Sequence, residues 1–278
     1  PVHIRRIADG EVVTILEDLC TYALAAQAPG TNCGETPEAK ADQVYSIDFS
    51  PDGSMVAIGG ADIGIVGVWD VATGKRLAWL EVPPLIGADG AFVQFSPAGD
   101  ILIGATTDVI GFSVADWNEI GRFPIDWAWY DAQFTTDGSL LVGSDATRGE
   151  ITTVDTNTWT QVGPSLSGHE GTVRDNDLSA DGSLIASAGS DGYVLIWDRE
   201  SGELLQSIPV GSVVTLVHFI NDDHLLVIPE GRPAMVMTIN VTELIELARS
   251  QVSRGFTDAE CATYHFEPCP DLESIRNG

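Results

Sequence analysis

The side chains best suited to chemistry lie between residues 168 and 198. Gly168-His169, Ser187 and Asp191 supply an imidazole, a hydroxyl and a carboxylate. Those are the groups of a nucleophilic hydrolase, in which a carboxylate orients an imidazole and the imidazole takes the proton of an attacking serine. A second group is aromatic and acidic: Asp126, Trp127, Trp129, Tyr130 and Asp131. An indole pair beside a phenol and two carboxylates suits a peptide, a sugar or a cationic group. Aromatics entering a strand also pack between sheets, and that reading stands beside the first. A third group is Arg174-Asp175-Asn176-Asp177, which either holds water or a cation or satisfies itself as a local polar network. Asn221-Asp222-Asp223 has oxygens of the type calcium takes, but reads more simply as a turn. Phosphate-loop, dinucleotide, zinc-protease and nucleophile-elbow motifs are absent, so no cofactor and no metal are expected.

The elements that must position these residues repeat. Phe49-Ser-Pro-Asp-Gly53 recurs as Phe95-Ser-Pro-Ala-Gly99, Phe134-Thr-Thr-Asp-Gly138 and Leu178-Ser-Ala-Asp-Gly182, with Phe219-Ile-Asn-Asp-Asp223 as a degraded fifth copy. The copies start about 40–45 residues apart, the period of a four-stranded blade. In the first unit, Val44–Ser50 alternates and meets Pro51-Asp52-Gly53, where proline presets a turn and glycine takes the positive φ. Strands follow over 55–60, 64–71 and 76–82. Further units span 91–125, 129–163 and 173–210, and a fifth, 213–241, shows three strands. A four-stranded meander has two apolar faces, so each unit needs neighbours. The N-terminus offers two orphan strands, Val2–Ile7 and Glu11–Leu16, read as half of a further blade or as the closing strands of the fifth.

Two segments break the pattern. Residues 17–43 form an insertion, a short helix and then a Gly- and Pro-rich loop. Residues 241–278 change to helical spacing, with Leu244, Ile245, Leu247, Ala248 and Val252 on one stripe. Thr257-Asp-Ala-Glu260 reads as a capping box for a second short helix. The expected division is a β domain over 1–240 and a helical tail over 241–278. The stripe is expected to pack on the β domain, with binding to a partner as the alternative.

The 278 residues carry 41 Asp plus Glu against 13 Lys plus Arg, a net charge of -28. That balance repels phosphate backbones and anionic lipid, so nucleic acid is not an expected partner. No run of about 18 apolar residues appears, so no membrane-spanning helix is expected within the chain. The start, Pro1-Val-His-Ile-Arg-Arg6, reads as a mature or excised piece of something longer. Cys20 with Cys33, and Cys261 with Cys269, form two close pairs outside the repeats. Two local disulfides imply an oxidising compartment; four free thiols are the other reading.

The fourth unit carries the residues of a known family. Gly168-His169 precedes its first strand, Ser187 lies on the second, Asp191 in the next turn, and Trp197-Asp198 ends the third. This resembles a WD-repeat blade. The resemblance implies an all-β fold: a β-propeller of four-stranded antiparallel blades, five of them recognisable, with an N-terminal remnant. A six- or seven-bladed ring would extend beyond these five. It also implies that His169, Asp191, Ser187 and Trp197 form a buried structural relay, which displaces the catalytic reading of the same residues. The first unit keeps Trp69-Asp70 without the Gly-His, and the second and third have Ser113-Val114 and Val154-Asp155 there.

The tail, from Glu243-Leu-Ile-Glu-Leu-Ala-Arg-Ser250 to Cys269-Pro270, is similar to the C-terminal end of large bacterial WD-repeat signalling proteins. That likeness implies a noncatalytic sensor or interaction module that binds a protein or peptide, placed outside the cytoplasm, with more blades or an output domain on the same or another chain. The alternatives are an assembly subunit of a larger complex and, further off, a propeller hydrolase or lyase.

Overall fold

The computed structural model describes residues 3–5, 12–16, 44–60, 64–83, 91–125, 129–145, 148–251 and 273. Two short strands, β1 (His3–Arg5) and β2 (Val12–Ile15), pair antiparallel. The first full sheet runs β3 (Val44–Phe49), β4 (Met55–Gly60), β5 (Ile65–Asp70), β6 (Arg76–Glu81), each strand pairing with the next. The second runs β7 (Phe92–Phe95), β8 (Ile101–Ala105), β9 (Asp108–Ser113), β10 (Glu119–Pro124). In the third, β11 (Trp129–Phe134), β12 (Leu140–Asp145) and β13 (Glu150–Asp155) are followed by β14 (Thr160–Gln161) and β15 (Leu166–Ser167), both pairing with β13. The fourth runs β16 (Val173–Leu178), β17 (Leu184–Gly189), β18 (Tyr193–Asp198), β19 (Leu204–Pro209). A fifth, three-stranded sheet holds β20 (Val214–Asn221), β21 (His224–Pro229) and β22 (Met235–Thr238). These are the propeller blades that the repeat announces.

The recurring turn makes each blade start in register. Asp52 Oδ1 accepts hydrogen bonds from Ser50 Oγ at 2.7 Å and from Ser54 N at 2.9 Å. Asp137 does the same with Thr135 and Ser139, and Asp181 with Ser179 and Ser183. Hydroxyl and amide donors hold all three carboxyls at a pKa of about 2. In these three blades one turn carboxylate closes the first hairpin.

First strands of successive blades pack side by side: β3 on β7, β7 on β11, β11 on β16, β16 on β20. Apolar layers fill the spaces between blades. Val66, Val68 and Leu80 of the first blade meet Val93, Phe95 and Ile110 of the second. Ala186, Val194 and Ile196 of the fourth meet Val217, Phe219 and Leu225 of the fifth. At ~25 cal/mol per Å² of apolar surface removed from water, these layers are the main force joining the blades.

Two tryptophans serve this packing from an unusual backbone. Trp117 and Trp159 sit at φ 60° and 55°, in the turn where the first and fourth blades have Gly74 and Gly202. Trp159 is buried and lies against the bare backbone of Gly111 and Gly121 in the second blade. Trp117 reaches the layer between the first and second blades.

The described part of the tail shows its stripe unburied. Helix α1 (Val241–Gln251) is N-capped by Asn240, whose Oδ1 accepts from Thr242 N and Glu243 N, yet none of its residues is buried. Val241, Leu244, Ile245 and Leu247 remain exposed, because the helix leaves β22 without lying down on a blade face. The capping box at 257–260 and the insertion at 17–43 lie outside the described residues, as do all four cysteines. Among the described residues, no helix is long and apolar enough to cross a membrane.

Candidate functional site

The Ser-His-Asp set converges in the fourth blade. His169 Nδ1 lies 2.9 Å from Asp191 Oδ2, and its Nε2 lies 2.8 Å from Ser187 Oγ. Trp197 Nε1 donates to the same Oγ at 3.0 Å. With Nδ1–H donating to Asp191, Nε2 accepts the Ser187 hydroxyl proton, so the side-chain atoms of the relay satisfy one another. Burial pushes the Asp191 carboxyl up, but hydrogen bonds from Glu170 N–H, His169 and Tyr193 N–H outweigh it and hold it below its ordinary value. Gly189 is required by close approach: a Cβ there would collide with His169 and Asp191. The geometry is that of a catalytic triad, but Ser187 is 0% exposed, so no substrate carbonyl can reach its oxygen.

Of the aromatic and acidic group, Trp129 takes the core reading. Trp129 is buried, packed among Ile103, Val109, Phe134 and Leu141, with its ring on Gly143, where a side chain would leave it no room. It is a core residue because β11 places it on the face turned toward the second blade. Asp126 and Trp127 lie outside the described residues, and Tyr130 is described by its backbone alone.

Asp131, Asp175 and Asp177 do not form an exposed binding surface either. They stitch first strands together across blade boundaries. Asp131 Oδ2 faces Asn176 N at 3.4 Å and accepts from its Nδ2 at 3.2 Å. Asp175 Oδ2 accepts Val217 N–H at 2.7 Å, and Asp177 Oδ2 accepts Phe219 N–H at 2.6 Å. The first boundary uses the same two positions: Ser46 Oγ accepts Val93 N–H at 3.2 Å and Asp48 Oδ2 accepts Phe95 N–H at 2.7 Å. An inner strand has one edge without a sheet partner, and these oxygens cap its amides. Asn176 accordingly fills an apolar slot while fully buried. Burial raises the pKa of Asp48. It raises that of Asp175 to about 6 and, joined by the charge of Asp175, holds Asp131 well above the ordinary carboxylate range. A hydrogen bond between the Asp131 and Asp175 carboxyls raises the first and lowers the second. Sequence reasoning missed this role; the signal was acids or hydroxyls two residues apart in an otherwise apolar strand. Asn221 Oδ1 accepts Asp223 N–H at 2.9 Å, which makes that segment a turn.

Bulges recur at fixed places in the blades. In first strands the register skips Tyr45, Tyr130, Arg174 and Thr215. In outermost strands it skips Leu77, Ile120 and Leu205, and Val162 takes the same place after Gln161 in the third blade. A bulge turns the extra residue away from the ladder. Leu77, Ile120, Val162 and Leu205 are all at least 40% exposed, one aliphatic side chain per blade along the outer rim.

Comparisons agree with this architecture. The family described as WD domain, G-beta repeat matches residues 31–70 and 160–198. The small ribosomal subunit protein RACK1 of Medicago sativa is 44% identical over 55 residues, covering 20% of this chain and 17% of that protein. Eukaryotic translation initiation factor 3 subunit I of Scheffersomyces stipitis is 26% identical over 249 residues, covering 84% and 59%. The WD repeat-containing protein SL1-17 of Schistosoma mansoni is 29% identical over 165 residues, covering 58% and 52%. The chain thus spans less than two thirds of each of these relatives. They overturn the extracytoplasmic placement, since a ribosomal subunit protein and an initiation factor subunit belong to the protein-synthesis machinery inside the cell. They are also eukaryotic, and give no support to the likeness with bacterial signalling proteins. With its repeated four-stranded blades, its matched repeats and the relay of its fourth blade, this chain is similar to WD-repeat proteins and has the β-propeller fold.

Proposed function

We propose that the chain is a noncatalytic protein-interaction module that acts in the assembly of a larger complex. The observation that carries this reading is the row of Leu77, Ile120, Val162 and Leu205 on the outer rim, exposed and one blade apart. Single exposed aliphatic residues are ordinary, but the same position repeated in four blades gives a long, regular surface for a protein partner. The polar groups that resemble catalytic machinery are meanwhile hydrogen-bonded to one another inside the fourth blade. Names of relatives that refer to a ribosomal subunit and an initiation factor subunit support assembly over sensing.

The test is affinity capture from the cells that make the protein. The full chain is compared with a variant carrying Leu77→Asp, Ile120→Asp, Val162→Asp and Leu205→Asp. The expected result is partners retained by the first and lost by the second, with equal melting temperatures. Retention by both, or by neither, overturns the proposal.

A further inference from the structure

Three polar residues depart from the pattern of the inner strands, and all three meet at one boundary. Matching positions of β3, β7, β11, β16 and β20 hold Ser46, Phe92, Asp131, Asp175 and Leu216. The two carboxylates fall in neighbouring blades, the third and the fourth. The next position along holds Ile47, Val93, Ala132, Asn176 and Val217. Asn176 is the polar member of an apolar set, and it faces the same boundary.

The carboxyls of Asp131 and Asp175 share a hydrogen bond. Each also spends an oxygen on the blade that follows: Asp131 Oδ2 accepts from Asn176 Nδ2 at 3.2 Å, and Asp175 Oδ2 accepts Val217 N–H at 2.7 Å. Among the described residues, no Lys, Arg or His forms an ion pair with either. Asn176 is 0% exposed, and its Oδ1 has no hydrogen-bond partner. Oδ1 and Nδ2 sit on one carbon, so this oxygen lies beside the carboxylate that Nδ2 meets.

All three side chains therefore present acceptors to one place. Two carboxylates in contact need a positive charge between them. A shared proton would satisfy the pair and leave Asn176 Oδ1 unmatched. A water would donate to Oδ1 and leave the charge of the pair unmatched. A metal cation meets all three oxygens at once. Oxygen ligands without sulfur or ring nitrogen suit calcium better than zinc or copper. Position 176 also favours a ligand: the valine of the second and fifth blades would fill it with no oxygen to satisfy, whereas a buried amide oxygen is costly without a partner. Among the described residues no three His, Cys, Asp or Glu side chains cluster around a metal-sized point. Two carboxylates and one amide make a site of low charge, and a weak one.

We propose that Asp131, Asp175 and Asn176 bind one calcium-type cation between the inner strands of the third and fourth blades, each giving a side-chain oxygen, with water completing the shell. Residues 174–177 leave a cation open in the sequence, and the structure adds Asp131 from the blade before. The cation takes the place of the proton held by the pair, which passes to the buffer. The site lies apart from the rim surface, so its outcome does not bear on partner capture.

The full chain is stripped with EDTA, exchanged into chelator-free buffer and titrated with calcium chloride by isothermal calorimetry. The titration is run near pH 7 at constant ionic strength, in two buffers of different ionisation enthalpy, which counts the protons released. One saturable site is expected, with a Kd of about 0.1–1 mM, the weak end of the calcium range. About one proton should leave per cation bound. Tyr130 on β11, Asp145 on β12, Arg174 and Asp177 on β16, and His218 on β20 are the other titratable or charged residues of the strands packed around the pair. Asn176→Val keeps all of them and every other charge of the chain. It is expected to stay folded by circular dichroism and to weaken binding at least about tenfold, the scale of one lost oxygen ligand. Asp131→Asn keeps the shape of the side chain and is expected to abolish both the binding and the proton release. Absence of saturable heat in the parent overturns the proposal in favour of a shared proton. Binding unchanged by Asn176→Val, or surviving Asp131→Asn, assigns the heat to the chain's surface carboxylates and overturns it too. So does binding with no proton released.

Discussion

The carboxylate of Asp177 leaves the fourth blade and accepts the backbone N–H of Phe219 in the fifth, 2.6 Å away. Asp48 and Phe95 make the same contact at 2.7 Å between the first and second blades. The side chain does for two inner strands what a backbone ladder does within a sheet, while leaving the blades free to splay apart at the rim. Its acceptor must be anionic or hydroxylic, and it must sit in a strand whose other residues are apolar.

Asp177→Ala should therefore leave the Phe219 amide buried without its acceptor. The expected loss is about 1–3 kcal/mol of unfolding free energy, read from urea denaturation. Asp177→Asn keeps an oxygen and should recover a substantial part of it. Equal losses for the two variants would count against capping as the role.

The Asp131–Asp175 pair should make stability fall with rising pH. A carboxyl whose folded pKa is raised contributes fully below its unfolded value of 3.8 and loses that contribution as pH rises through its folded value, about 6 for Asp175. Arg174, Asp177 and His218 are the charged or titratable neighbours on β16 and β20, and Asp145 lies on β12. Asp131→Asn imitates the protonated form. It is expected to match the parent near pH 4 and to exceed it at pH 8 by about 1–3 kcal/mol, measured as urea midpoints. A variant less stable than the parent at pH 8 would refute this.

The turn carboxylates act in the opposite sense. Asp52, Asp137 and Asp181 are depressed to about 2. Their contribution is present above pH 3.8 and disappears as pH falls toward 2. Carboxyl carbon shifts should titrate near pH 2 at these three sites, and ordinary values near 4 would show that the hydroxyl and amide donors are not engaged.

Ser187→Ala removes the hydroxyl shared by His169 and Trp197. Leaving their ring nitrogens unsatisfied in the interior should destabilise the chain by about 1–3 kcal/mol, seen in thermal or urea unfolding. The same variant should leave partner capture unchanged at temperatures where it stays folded. Loss of an esterase or peptidase activity on this substitution would restore the catalytic reading.

Trp159→Ala should be among the most damaging single changes, about 3–5 kcal/mol, because it empties the space over Gly111 and Gly121. Gly111→Ala forces a methyl group into the same indole and should destabilise from the other side. Unfolding midpoints for both variants, and for the pair together, would show strong non-additivity if they share one contact.

The blades were legible because their signal is local. A Phe-to-Gly hairpin start with an Asp two residues before the next hydroxyl folds by hydrogen bonds within six residues, so it survives in sequence as a spaced motif. The relay was legible for the same reason, since His169, Ser187, Asp191 and Trp197 belong to one blade. For Trp129 and for the acids at 131, 175 and 177 the sequence left a binding role and a packing or polar-network role both open. Whether an indole or a carboxylate faces solvent or the neighbouring blade depends on a different sheet, and no spacing rule carries that.

By itself, the sequence determined the repeat, the turns, the four-strand blade and the fourth-blade relay, each a matter of near-neighbour hydrogen bonding and strand periodicity. Only the tertiary structure decided which polar groups are spent at blade boundaries and which stay outward. It turned Asp48, Asp175 and Asp177 into amide caps, buried Trp129 and Trp159, kept the α1 stripe exposed and left Val44, Ile47 and Phe49 uncovered. The physical reason is that burial belongs to pairs of surfaces: a strand's own residues set what it offers, and the neighbouring sheet sets what is removed from water.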